Sequence, residues 1–270
     1  FEVVAAGKGT MYLPEYRKGT PEEALSIYGH TPEEASASGL NPQMYNSFLD
    51  GTKSAVEMCS VANMTGLIPD VPGMHFPPSS IKDLPTLLIP AEDGGILSRK
   101  GVVEVVSSLR RDGTQIPHSL RWGIFIILTS DSRYLRTCLQ DYGVPMDSSK
   151  TYAAIHRPYH LVGMEAPISI ARAYLYNEST GTPKTHVGEV IATAKRHLKT
   201  SEILDGEGGH TTYGSLVEAK ESLTNSLLPI GFSRGAKMKR PIKENTLLSY
   251  KDVQLPEGRF ANLLRANKLD

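Results

Sequence analysis

Residues 41–57 read NPQMYNSFLDGTKSAVE, and this stretch decides where the chemistry of the chain sits. Asn41 followed by Pro42 is a helix start. Asn accepts from a free backbone N–H, and Pro suits the first helical position, where a missing N–H is no loss. The pattern stays helical to about residue 63, and Thr65-Gly66 supplies a stop. At about 100° per residue, Asn46, Asp50, Lys53 and Glu57 fall within roughly 60° of one another. The other face carries Met44, Phe48, Gly51, Ala55, Cys59 and Ala62, apolar and mostly small. The stripe is either a solvated face with Asp50, Lys53 and Glu57 pairing at i,i+3 and i,i+4, or a catalytic, substrate-gripping face. Gly51 costs about 1 kcal/mol inside a helix and implies close backbone approach.

Upstream, residues 2–6 form a short, nearly continuous apolar run, the mark of a parallel strand buried on both faces. Gly7-Lys8-Gly9 follows at its expected carboxyl end, where open α/β sheets place ligands. It is not a dinucleotide fingerprint, since a third glycine would fall at Tyr12 and Pro14 blocks an immediate helix. Lys8 is either a surface lysine at a strand end or a charge pointing into a cofactor crevice. The first residue is not Met, so the chain is expected to be part of a longer protein. The opening strand is then expected to have lost its sheet neighbours and to be frayed or paired differently.

Thr20-Pro21-Glu22-Glu23 and Thr31-Pro32-Glu33-Glu34 are capping boxes that start two short helices. Beyond Gly66, six prolines between 69 and 90 allow no long regular element, and the segment is expected to wrap over a surface, as a lid would. Residues 102–109 and 121–129 are β-rich runs joined through Arg111-Asp112-Gly113. Asp131 can cap a helix, 151–155 reads as a strand, and 165–176 as a helix or long strand. Together they predict a mixed or antiparallel sheet covered by helices, an α+β layer distinct from the opening strand.

Lys+Arg 29 balance Asp+Glu 29, so no net field favours nucleic acid or an anionic membrane, and neither is an expected partner. No apolar run approaches the ~18 residues of a membrane span. Two cysteines, Cys59 and Cys138, lack metal-like spacing and suit a reducing cytoplasm. His156 and His160 have helical ligand spacing, but Pro158 between them removes that geometry, leaving His160 a structural or substrate-contacting role and no metal site.

From residue 187 the texture changes and an internal repeat appears. KRHLKTSEIL at 195–204 matches KRPIKENTLL at 239–248: Lys-Arg, one residue, an aliphatic, Lys, three residues, two aliphatics. Two copies suit a small β unit of two hairpin-like halves with polar turns at Ser201 and Asn245, beginning at about residue 187. The acidic glycine-rich loop at 205–209 between them either contacts a ligand or is only a turn.

VVAAGKGTMYLPEYR, NPQMYNSFLDGTKSAVEM, KGVVEVVSSLRRDG, RPYHLVGMEAPIS and VIATAKRHLKTSEILDGEGG together resemble homoserine-dehydrogenase-like NAD(P)-dependent oxidoreductases with a C-terminal SAF domain. The branch includes the deoxyxylulose-phosphate-reductoisomerase-like enzyme of isoprenoid synthesis. The resemblance implies three parts: the end of a Rossmann domain at 1–40, a catalytic, substrate-binding and oligomerisation domain at 41–186, and a SAF-like β-clip domain at 187–270. It implies NADP or NAD as cofactor, with the main binding site upstream, a small hydroxy or keto substrate, sugar phosphates included, and a homo-oligomer. Lys8 matches a lysine beside the nicotinamide, and Asp50 and Lys53 match a pair that handles the substrate. Lys53 is then the proton donor and electrostatic stabiliser, with Asp50 orienting it. Asn46, Glu57 and His160 are the expected substrate contacts. The metal-binding acidic cluster of true reductoisomerases has no counterpart here. The alternative is a non-catalytic module whose SAF-type end grips a sugar-like ligand or a partner chain.

Overall fold

The computed structural model describes residues 1–258. The elements run β1 (Glu2–Thr10), α1 (Pro21–Ile27), α2 (Pro32–Ala37), α3 (Pro42–Leu49), α4 (Thr52–Thr65), β2 (Ile68–Pro69), α5 (Leu84–Leu87), β3 (Val102–Ser107) and β4 (Ile124–Thr129). There follow α6 (Arg133–Asp141), β5 (Tyr152–Arg157), α7 (Val162–Tyr176), β6 (Gly188–Ala194), β7 (Thr212–Glu218), α8 (Ala219–Thr224), β8 (Lys237–Met238) and β9 (Val253–Gln254). They divide into two compact units. One comprises Phe1–Met11 and Ser60–Val187; the other comprises Tyr12–Cys59 and the described residues from Gly188 on.

The first unit is built on a mixed five-stranded sheet of order β2-β3-β1-β4-β5. β1 lies at its centre, parallel to β3 and antiparallel to β4. This corrects the expectation of a frayed strand belonging to a separate layer: β1 finds both neighbours within the chain. It also runs past Ala6 to Thr10, so Lys8 stands inside the strand, opposite Val105 and Ile124. The glycines around Lys8 serve this packing. A Cβ at Gly7 would fall 1.7 Å from the Glu104 carbonyl oxygen, and one at Gly9 would fall 1.4 Å from that of Leu120. The runs at 102–109 and 121–129 flank β1 instead of pairing with each other.

The proline-rich segment wraps over the sheet, as its scattered apolar residues lead one to expect. Leu84, Leu88, Ile89 and Leu97 are buried in one cluster with Val4, Val102, Val106, Phe125 and Ile127. Prolines keep the segment from long regular structure, but its leucines bring it down onto the sheet, where each buried side chain contributes about 1.5–3 kcal/mol.

In the second unit, both capping boxes close as read, with Glu23 N–H donating to Thr20 and Glu34 N–H to Thr31. Asn41 caps α3 through Met44 N–H. The single helix expected over 41–63 breaks, because Gly51 takes a left-handed φ of 87°. α3 ends before it, and α4 restarts at Thr52, whose N–H donates to Asp50 Oδ1 at 2.9 Å.

The repeat folds as two halves that exchange identical backbone bonds. Leu198 and Ile242 bond each other, N–H to C=O, in both directions. Ser201 N–H donates to Met238 O and Asn245 N–H to Ala194 O, each at 2.8 Å. Leu204 N–H to Ala236 O and Leu248 N–H to Ala192 O repeat the symmetry, again at 2.8 Å. The two turn residues, Ser201 and Asn245, both have positive φ, 67° and 58°. β6–β7 and β8–β9 are the antiparallel pairs of this region.

Gly51→Ala forces a Cβ into the left-handed region and is expected to destabilise the protein by about 1–2 kcal/mol, whereas Gly51→Asn costs less. Urea denaturation of the two variants against the parent checks the difference.

Candidate active site

The polar stripe of residues 46–57 divides at the Gly51 break into a buried part and an exposed part. Lys195, the residue after β6, reaches Asp50 Oδ2 at 2.8 Å and Gly19 O at 2.9 Å, with both charged side chains at most 1% exposed. Asn46, also fully buried, donates from Nδ2 to the same Gly19 carbonyl at 2.9 Å, to Gly208 O at 2.9 Å and to Gly209 O at 3.3 Å. Thr52 Oγ1 accepts from Gly214 N–H at 2.8 Å. The loop at 205–209 is thus held by α3. Gly208 has to be glycine, since a Cβ there would meet the Gln43 carbonyl at 2.0 Å. The symmetry-related partner of Lys195 is Lys239, which is exposed. The backbone symmetry therefore breaks where Lys195 turns inward to Asp50.

Lys53 takes the other direction. Its side chain is 41% exposed, its ammonium lies 4.4 Å from the Phe48 ring centroid, and Glu57 Oε1 stands 3.5 Å away. The cation paired with Asp50 is therefore Lys195, and Lys53 pairs along the helix with Glu57. Lys53 follows the first residue of α4, where the positive end of the helix dipole adds to its own charge. Asn46 has its donors committed to backbone carbonyls.

In the first unit Lys8 is buried within β1. His160 lies in the connection between β5 and α7, its N–H bonded to Trp122 O at 2.9 Å. A site that the sequence reading passed over centres on His75. Its Nδ1 lies 2.7 Å from Glu104 Oε2, and its backbone N–H donates to both Glu104 oxygens. Glu104 is fully buried on β3 and also accepts from Val105 N–H. His75 Nε2 stands 3.7 Å from Asp70 Oδ2, and Ser98 holds the Asp70 carboxylate through its N–H and hydroxyl. Arg99 lies 3.9 Å from Asp70 on its other oxygen. Met74 and Phe76, on either side of His75, both adopt positive φ, a conformation that costs non-glycine residues about 1–3 kcal/mol and gathers at functional sites. The only sequence signal for this cluster is a histidine between prolines; the contact to Glu104 spans 29 residues.

The family model for the catalytic domain of oxidoreductase DRL matches residues 1–166. The chain belongs to that family. The matched residues include Lys8, Asn46, Asp50, Lys53, Glu57, His75, Glu104 and His160, whereas Lys195 lies beyond them. No curated protein matches the chain. For a dinucleotide cofactor, a glycine loop at a helix N-terminus is the expected pyrophosphate cradle. The Gly7–Gly9 pair does not provide one, because the space a Cβ would take is occupied by neighbouring backbone. Among the described residues no helix is long and apolar enough to cross a membrane.

Glu104, followed by Asp70, raises the pKa of His75 above its ordinary value, against the opposing effect of burial. A raised folded pKa stabilises fully below the unfolded value near 6.5, and the contribution disappears as pH rises through the folded one. Thermal melts from pH 6 to pH 9 are therefore expected to show a loss of stability above about pH 6.5 that His75→Asn abolishes. An identical pH dependence in that variant would contradict the assignment.

Proposed function

We propose that this chain is the catalytic and C-terminal portion of an NAD(P)-dependent, homoserine-dehydrogenase-like oxidoreductase of the cytoplasm. Its substrate is a small hydroxy or keto compound, a sugar phosphate of the deoxyxylulose-phosphate type included. The family match supports an oxidoreductase catalytic domain. The observation that carries the reading of the site is Lys53, a solvent-facing cation at the start of α4 within the matched residues. The cofactor cradle lies outside the described residues in this reading, so the part assigned to this chain is proton and charge handling at the substrate oxygen.

Lys53 donates a proton to that oxygen as a carbonyl becomes an alcohol, and its charge with the α4 dipole stabilises the developing oxyanion. Glu57 positions the ammonium from one turn along. Asp50 acts at one remove, fixing the turn from which α4 starts through its bond to Thr52 N–H. Lys8 and His160 are assigned to the nicotinamide side and the substrate, respectively. The symmetric exchange about Leu198 and Ile242 supports a SAF-type domain from about residue 187. The homo-oligomer reading is supported by α7, which presents Val162, Ile168, Ile170 and Leu175 at 59–73% exposure. The rival reading, a non-catalytic SAF-type binding module, predicts no turnover with any carbonyl substrate.

In the full-length protein, screened against hydroxy acids, keto acids and sugar phosphates by nicotinamide absorbance, Lys53→Met is expected to abolish turnover with cofactor affinity nearly unchanged. A lowered melting temperature with residual rate would assign Lys53 to the fold instead.

A further inference from the structure

We propose that the cleft between α6 and the turn leading into β5 is a binding site for the phosphate group of a small molecule. Arg133, Arg136, Thr137 and Gln140 recur at helical spacing along one face of α6 and form one wall of this cleft. Ser149 and Lys150 form the other, and the six residues line an open cleft of about 250 Å³. Among the described residues three cations share this space, and no carboxylate lines it.

Like charges three residues apart on a helix oppose its formation by a few tenths of a kcal/mol, and Lys150 adds a third positive charge from across the cleft. The protein does not offset them. Among the described residues no acidic side chain pairs with Arg133, Arg136 or Lys150; Arg136 is tethered only to the Ser130 carbonyl. The nearest buried acid in sequence, Asp147, is committed to the turn itself. Its carboxylate accepts from the N–H groups of Ser149, Thr151 and Tyr152 at 2.9, 2.9 and 2.7 Å, and from the Ser149 hydroxyl. Burial pushes that carboxyl up, but these bonds outweigh it and hold its pKa below the ordinary value. The same bonds fix the turn, and Lys150 leaves it in a left-handed conformation with φ of 59°. The wall that carries the third cation is thus set before any ligand arrives, which lowers the ordering cost of binding.

The lining selects the ligand class. Guanidinium groups match phosphate oxygens two at a time, and an ammonium supplies a point charge. The Gln140 amide adds a neutral donor. Among the described residues no aromatic or large apolar side chain lines the cleft, so a base or acyl chain has nothing to stack on. The volume falls below the roughly 300 Å³ of the smallest drug-sized pockets, which suits a phosphate with a small substituent. The site does not depend on the reaction proposed above: it lies on α6 and the β5 turn, and its occupancy can be read without turnover.

The test is calorimetric titration of the protein with inorganic phosphate, pyrophosphate and AMP, at ionic strength held constant with sodium chloride. Saturable one-to-one binding of phosphate is expected, tighter for pyrophosphate. Arg133→Gln with Lys150→Asn is expected to weaken it by about tenfold or more, since each removed cation makes a charge-assisted bond. Asn keeps the left-handed conformation at 150, and Arg136 stays in place to hold Ser130. Arg133→Lys, which keeps the charge, retains most of the binding and guards against a variant that merely misfolds. AMP bound no more tightly than phosphate supports recognition through the phosphate alone, whereas AMP bound more tightly would overturn it, since the cleft offers a base nothing to stack on. No saturable binding above the chloride background, equal affinity in the double variant, or binding of AMP without binding of phosphate would each overturn the proposal.

Discussion

The Asp50–Lys195 ion pair is the constraint on which the second unit depends. Two opposite charges withdrawn from water lose several kcal/mol of hydration each, and only close contact with further hydrogen bonds returns it. Here the contact is 2.8 Å, Lys195 adds the Gly19 carbonyl, and Asp50 adds Thr52 N–H. The Gly19 carbonyl also accepts from Asn46. Three stretches far apart in the chain, around residues 19, 46–52 and 195, therefore share one buried polar centre. Gly51 makes this possible: its left-handed backbone ends α3 so that Asp50 faces the lysine while Lys53, three residues on, reaches solvent.

The two halves of the repeat keep their mutual hydrogen bonds with near-identical geometry, yet Lys195 is buried and Lys239 exposed. Backbone pairing alone needs neither lysine inside. The asymmetry follows from what each lysine meets: Lys195 meets an aspartate at the end of α3, and Lys239 meets water.

Much of this was legible because it is local. The capping boxes, the Asn41-Pro42 start and each ten-residue copy of the repeat, with its turn at Ser201 or Asn245, are short-range signals, and each formed. The mixed sheet with helices was also legible. What failed was non-local. The helical pattern of 41–63 ignored that Gly51 can stop a helix outright instead of merely costing it stability. The apolar run at 2–6 said "buried strand" correctly but could not name its partners, which begin about 100 residues later at Val102 and Ile124. The prolines announced irregular backbone and the apolar residues among them a covering role, but not which strands they would cover. In the candidate site, the stripe of Asn46, Asp50, Lys53 and Glu57 was visible. That Asp50 belongs to Lys195, 145 residues away in sequence, and that His75 belongs to Glu104, are facts of pairing that no spacing rule contains.

A double-mutant cycle on Asp50 and Lys195 tests the central ion pair directly, with unfolding by urea measured for Asp50→Asn, Lys195→Met and the two combined. Each single change leaves one buried group without its partner and is expected to cost about 3–5 kcal/mol, while the double variant costs far less than the sum. Single effects that are small, or that add without coupling, would show that the pair does not hold the unit together.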